Sequence, residues 1–244
     1  MELSIKALLF DLGGTLVHRS VNDHFADEAA VKDILNYMNS NGFMVDQEFF
    51  LEKYWTHYRN LNEYRESYMI EIPMNVWLSE LLYDVSGESL NFTLLSKAEK
   101  AIVDARVESA IILPETIGIL EELSSRYNLG IVTNTSSEQV TDRVLHNLKL
   151  NKFFDCVIAS SEVGVRKPYP GIFFQIAREM FIEPEEALFI GDSIKHDIIG
   201  SNLVNMKSCL ISQKDLEPSN ISSIPDLCIV NLSDLLKVEG LLND

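Results

Sequence analysis

The chain has little cysteine, little positive charge and no long apolar run. Its three cysteines, Cys156, Cys209 and Cys228, lie far apart, and no CxxC spacing suggests a metal site or a redox pair. An odd number of cysteines, each among apolar neighbours, reads as buried thiols in a reducing compartment. Lys plus Arg number 20 against 37 Asp plus Glu, for a net charge of -17. A field of that sign repels nucleic acid and anionic membranes, so neither is an expected partner. An anionic substrate remains open, because a metal, a lysine and amide groups can invert the sign inside one pocket. No apolar run approaches the roughly 20 residues of a membrane helix. The N-terminal apolar run ends at Asp11, which is not a signal-peptide layout, and a cytoplasmic protein is expected.

What is present is a globular composition, 46% hydrophobic and 23% charged over 244 residues. That length admits one large domain, or a core carrying a smaller insert. No repeat or low-complexity tract interrupts it. Lys6 to Asp11 (KALLFD) is a short apolar run closed by Gly13-Gly14, the pattern of a buried strand ending in a tight turn.

From about Val17 to Ser109 the pattern turns helical. Helices are expected at Asp23–Asn39, at Gln47–Tyr64, from Pro73 or Met74 to Leu82, and at Phe92–Glu108, with no convincing strand. The aromatic run Phe49, Phe50, Tyr54, Trp55 and Tyr58 reads as helix core rather than as a ligand box. After Pro114, which suits the first turn of a helix running to Arg126, strand and helix alternate. Strands are expected at LGIVTN, CVIAS, ALFIGD, KSCLIS and LCIV, with helices at Ser137–Leu148, Tyr169–Phe181 and Lys195–Val204. A short helix is expected after about Ser233. Such alternation means a parallel sheet with helices on both faces, and a ligand site at the carboxyl ends of its strands. The fold class is therefore α/β. Residues 1–17 and 110–244 form a Rossmann-like core, and residues 18–109 an inserted all-helical domain.

Four stretches sit just past expected strand ends: Asp11-Leu12-Gly13-Gly14-Thr15, Thr133-Asn134, Lys167-Pro168, and Gly191-Asp192-Ser193 through Asp197. Singly each is ordinary; an Asp after a strand is most often a helix cap. Together, in this order, they resemble the haloacid dehalogenase (HAD) superfamily, in its helical-cap, phosphoglycolate phosphatase-like branch. The resemblance covers the core at both ends of the chain and implies a magnesium-dependent phosphatase. It implies that Asp11 is both the nucleophile and a magnesium ligand. Asp192 would be the second carboxylate ligand and the Gly13 backbone carbonyl the third. The residues agree with that chemistry. A carboxylate can attack phosphorus and form an aspartyl-phosphate. Magnesium takes a few protein oxygens and several waters. Thr133, the Asn134 amide and Gly14 are candidates to bind phosphoryl oxygens, and Lys167 would offset the charge. Ser193 and Asp197 would support the site from behind, Asp197 by holding Lys167 or a metal-bound water. A small phosphorylated substrate is expected, and a monomer or homodimer.

The chain departs from the family at Gly13. Phosphatases of this kind usually carry Asp there, to protonate the leaving group and later activate water. General acid–base catalysis contributes about 10² to 10⁴-fold. Three readings follow. His18, His24 or a water could relay the proton. The substrates could be acyl or aryl phosphates, whose leaving groups need little help. Or turnover could be lost, leaving a binding module. Among related hydrolases, dehalogenases carry an aromatic residue at this position and need no magnesium. Phosphonatases carry a small one and use a cap lysine as a Schiff base, for which Lys32, Lys53, Lys97 and Lys100 are available.

Overall fold

The computed structural model describes residues 4–21, 23–87, 91–212 and 224–238. The first strand, β1 (Ala7–Phe10), is fully buried, as an uninterrupted apolar run requires. Two short strands, β2 (His18–Arg19) and β3 (Ala110–Ile111), pair antiparallel where the helical segment leaves and rejoins the sheet. Between them lie α1 (Asp23–Ser40), α2 (Gln47–Tyr68), α3 (Met74–Ser86) and α4 (Phe92–Glu108). Asp46 caps α2 by accepting from the Phe49 amide at 3.0 Å, and Asn91 caps α4 by accepting from Thr93 and Leu94.

Then follow α5 (Thr116–Ser124), β4 (Asn128–Thr133), α6 (Glu138–Asn147), β5 (Cys156–Ala159), α7 (Ser160–Val163) and α8 (Pro170–Glu179). The last described elements are β6 (Ala187–Gly191), a π-helical turn at Ile194–Ile198, α9 (Ile199–Asn202), β7 (Lys207–Ile211), β8 (Leu227–Ile229) and a 3₁₀ turn at Leu232–Lys237.

The main sheet is parallel, in the order β5-β4-β1-β6-β7-β8. Central β1 has β4 on one side and β6 on the other, with Phe10 level with Ile131 and Ile190. The chain first builds to one side of β1 and then crosses to the other, which opens a crevice at the carboxyl ends of these three strands. Alternate residues of β1 enter two cores. Leu8 and Phe10 join a large cluster that continues into the inserted helices, while Ala7 and Leu9 pack with Phe173, Ile176 and Phe189. Truncating Leu9 to Ala is expected to cost about 2–5 kcal/mol, since it is fully buried.

The α/β class and its parallel sheet hold. Several details differ from the expectation. The segment read as strand-free contains β2, whose two residues are too short to carry any periodicity. The helix expected from Lys195 begins as a wide π turn, in which the Ile198 amide donates to the Ser193 carbonyl at 3.3 Å, and Ser193 caps it by accepting from the His196 amide. Of the three cysteines expected to be buried, only Cys209 is; Cys156 is half-buried and Cys228 is exposed on edge strand β8. In the aromatic run, Phe50 and Tyr54 are core residues, Trp55 and Tyr58 half-buried, and Phe49 exposed. No helix among the described residues is long and apolar enough to cross a membrane.

Candidate active site

The register that aligns β1, β4 and β6 sets their next residues side by side. Asp11 follows β1, Thr133 closes β4, and Asp192 follows β6. With Lys167, Ser193, Asp197, Gly13, Asn134 and His196 they line a cavity of about 160 Å³. The structure thus brings together the residues of all four stretches.

Lys167 is the hub. Its Nζ donates to Asp11 Oδ1 at 2.6 Å and to Asp197 Oδ1 at 2.7 Å, and all three side chains are buried. The ring of Phe189 lies under the ammonium, 5.2 Å from its centroid. The other oxygen of Asp197 accepts from the Ser193 amide at 2.9 Å. Asp197 therefore fixes both the lysine and the loop that carries Asp192. Asn134 adds a support that its sequence position did not suggest. Its side chain accepts from the Lys167 amide at 2.8 Å and donates to the Lys167 carbonyl at 3.0 Å. The lysine is anchored at both ends, across the cis Lys167–Pro168 segment.

Gly14 was expected near the phosphate. Its amide instead donates to the Val17 carbonyl at 2.8 Å, so it closes the turn. Its φ is +89°, and a Cβ there would stand 2.3 Å from Asp192 Oδ2. Only glycine allows this backbone conformation together with so close an approach of the Asp192 carboxylate. Gly13 is the opposite case. A Cβ at Gly13 would meet nothing within 4 Å, so the space an acidic side chain would use is open.

The electrostatics reflect three carboxylates sharing one lysine. Oxygens of Asp11, Asp192 and Asp197 lie within 4.8 Å of one another. Burial pushes the Asp11 carboxyl up; Lys167 opposes the shift and Asp197 adds to it, and the result is about 7. Burial and the Asp197 charge also raise Asp192. For Lys167, burial favours the neutral amine, but Asp11 and Asp197 outweigh it and hold its pKa above the ordinary lysine value. The cluster carries more negative charge than its lysine neutralises. A cation beside Asp11 and Asp192 would remove the mismatch, and hard oxygen donors suit a metal of the magnesium type.

A second, larger cavity of about 420 Å³ shares Gly13, Thr133 and Asn134 with the first and extends between the sheet and the inserted helices. It is lined by Arg19, Arg65, Arg106 and Arg166, none of which was expected from the sequence to be near the site. The positions of Arg65 and Arg106 on long helices gave no local signal; Arg166 adjoins Lys167 in the EVGVRKP stretch. His18 lines this larger cavity, while His24 lies among residues whose side chains are not described. The histidine that lines the smaller cavity is His196. Its Nε2 sits 3.1 Å from Glu66 on α2, and its Nδ1 sits 3.2 Å from Ser193 Oγ. None of Lys32, Lys53, Lys97 and Lys100 lines either cavity.

The chain is similar to known proteins. A glyceraldehyde 3-phosphate phosphatase of Methanopyrus kandleri is 31% identical over 241 residues, which span 96% of this chain and 97% of that protein. The pyrophosphatase PpaX of Bacillus cereus is 24% identical over 255 residues, spanning 99% of both chains. A 2-haloacid dehalogenase from Pseudomonas syringae superposes with a TM-score of 0.73 at 22% identity, covering 96% of this chain and 97% of its own, and shares the fold. The family model described as haloacid dehalogenase-like hydrolase matches residues 5–203, and the chain belongs to that hydrolase family.

Proposed function

We propose that the protein is a magnesium-dependent phosphatase that acts on a small phosphorylated metabolite through an aspartyl-phosphate on Asp11. The observation that carries this reading is the Lys167 ammonium held against Asp11 and Asp197 at the end of β1, in a cavity that Asp192 and Thr133 also line. The matched phosphatase and pyrophosphatase act on phosphorylated compounds by name, which supports it.

Asp11, Asp192 and the Gly13 carbonyl would hold the magnesium ion. The ion would supply charge neutralisation for the phosphoryl oxygens. An Asp11 oxygen attacks phosphorus, forming the Asp11–phosphoryl bond while the bond to the leaving oxygen breaks. Lys167 offsets the charge on the phosphoryl oxygens, and the Thr133 hydroxyl and Asn134 backbone amide hydrogen-bond to them. Water then attacks phosphorus, the bond to Asp11 breaks, and phosphate leaves with Asp11 restored. Asp197 and Ser193 keep Lys167 and the Asp192 loop in place, and Gly14 shapes the turn.

Gly13 offers no proton to the leaving oxygen. The reading therefore favours leaving groups stable as anions, such as those of acyl, aryl or anhydride phosphates. Residues 18–109 would serve as a cap that closes over the site and excludes water. Phosphonatase chemistry draws no support, since none of the four candidate lysines lines a site cavity. The test is phosphate release, with and without magnesium, from substrates graded by leaving-group pKa. Steeply falling rates toward alkyl phosphates are expected; no release from any member would sink the reading.

A further inference from the structure

The larger cavity is out of character for this chain. Four of the eight arginines in a protein of net charge -17 line it, and one carboxylate, Glu71, lines it with them. Some of that charge is matched. Arg106 makes a two-point contact with buried Asp27, at 3.1 and 2.9 Å. Arg65 Nε lies 2.7 Å from Glu71, and its Nη2 donates to the Ile72 carbonyl. Arg19 donates to the Arg106 carbonyl and to Ser109 Oγ, and these are not its only partners.

Arg166 is loosely paired. Its nearest carboxylates, Glu66 and Glu71, are 3.5 and 3.7 Å away. Glu66 is shared with Lys195 and His196, and Glu71 with Arg65 and Ser160. Arg166 Nε is buried and has no hydrogen-bond partner. The Arg166 charge is thus only loosely matched, and an anion in the cavity it lines would complete the match. Arg166 is bonded in sequence to Lys167, and the cavity it lines meets the phosphoryl cavity at Gly13 and Thr133. Gly13, which both cavities share, puts no side chain between them.

Resting on the phosphatase reading, we infer that the arginine-lined cavity binds a second anionic group of the substrate. The substrate class is then a phosphate compound that carries another carboxylate or phosphate within a few bonds of the phosphorus to be transferred. Arg166 meets that group, while Arg19, Arg65 and Arg106, each held by partners of its own, form the positive wall around it.

A matched series tests this. Glycerol 3-phosphate, glyceraldehyde 3-phosphate and 3-phosphoglycerate differ in one terminal group: hydroxymethyl, aldehyde or carboxylate. Inorganic pyrophosphate supplies phosphate as the second anion. Their affinities for the Asp11→Asn protein, measured by calorimetry in magnesium buffer, report binding without turnover. The expected result is a preference of about tenfold or more for 3-phosphoglycerate, pyrophosphate or both over the two neutral-ended compounds. Which of the two binds tightly identifies the second anion. Arg166→Gln is expected to shrink that preference several-fold and leave glycerol 3-phosphate affinity unchanged, with Arg166→Lys recovering part of it. Arg19→Gln supplies the same readout if Arg166→Gln fails to fold. Equal affinities across the series would overturn the inference, and so would an Arg166→Gln effect that weakens all ligands alike. Absent phosphate release from the wild-type protein would instead count against the phosphatase reading, with the affinity ratios still deciding this one.

Discussion

Lys167 reaches Asp11 across 2.6 Å, although 156 positions separate the two in the chain. The contact exists because β1 lies at the centre of the sheet and Asn134, at the end of neighbouring β4, grips the Lys167 backbone from both sides. Replacing Lys167 by Met keeps much of the volume and removes the charge. The kcat is expected to fall about 10² to 10³-fold. A steady-state assay checks it, and a loss below tenfold would show that the lysine is not essential to the chemistry.

Asn134 acts through Lys167. Asn134→Ala removes both backbone anchors, and a loss of stability of about 1–3 kcal/mol is expected along with reduced kcat. Denaturant melts and kinetics measured together would show both effects. An unchanged kcat would limit Asn134 to a structural role.

Gly13→Asp installs the missing acid where a Cβ meets nothing within 4 Å. Alkyl phosphate turnover is expected to rise about 10- to 100-fold, a part of the full acid–base contribution, while aryl phosphates change little. If both classes slow alike, the proton comes from another group and the new side chain only fills space in the site. Gly14→Ala is the contrasting variant. Its φ of +89° and the 2.3 Å approach to Asp192 predict poor folding or loss of the proposed magnesium site, readable as a lower Tm and weaker magnesium dependence.

Glu66 ties α2 to the Asp192 loop through Lys195 and His196, and it also faces Arg166. Burial would raise its pKa, but hydrogen bonds from Lys195 and His196 outweigh that and bring it from 4.5 to about 2. A depressed carboxyl stabilises the fold above its unfolded pKa, and that contribution is lost as pH falls from about 4.5 toward 2. Glu66→Gln is therefore expected to lower stability at pH 6 and to flatten its decline below pH about 4.5. Thermal melts across that range test it; parallel wild-type and variant curves would contradict it.

The sheet and the four site stretches could be read from sequence because they are local. An apolar run followed by Asp and paired glycines marks a buried strand and its turn, and a strand end in a parallel sheet marks a ligand crevice. The support system could not be read the same way. Asn134 holding Lys167, Arg65 meeting Glu71 and His196 meeting Glu66 depend on how distant segments pack, and no spacing rule announces them. Cys228 sits in an apolar stretch yet is exposed, because side chains alternate between faces along β8 and Cys228 points away from the face that buries Ile229. Two-residue β2 fell below the length at which alternation means anything.

The most direct test of the central claim compares phosphate release by the wild-type and Asp11→Asn proteins, with an aryl phosphate and magnesium in excess. Robust release by the wild type and none above background from Asp11→Asn is the expected result. Turnover by Asp11→Asn near the wild-type rate would contradict the assignment of Asp11 as the group that takes the phosphoryl group.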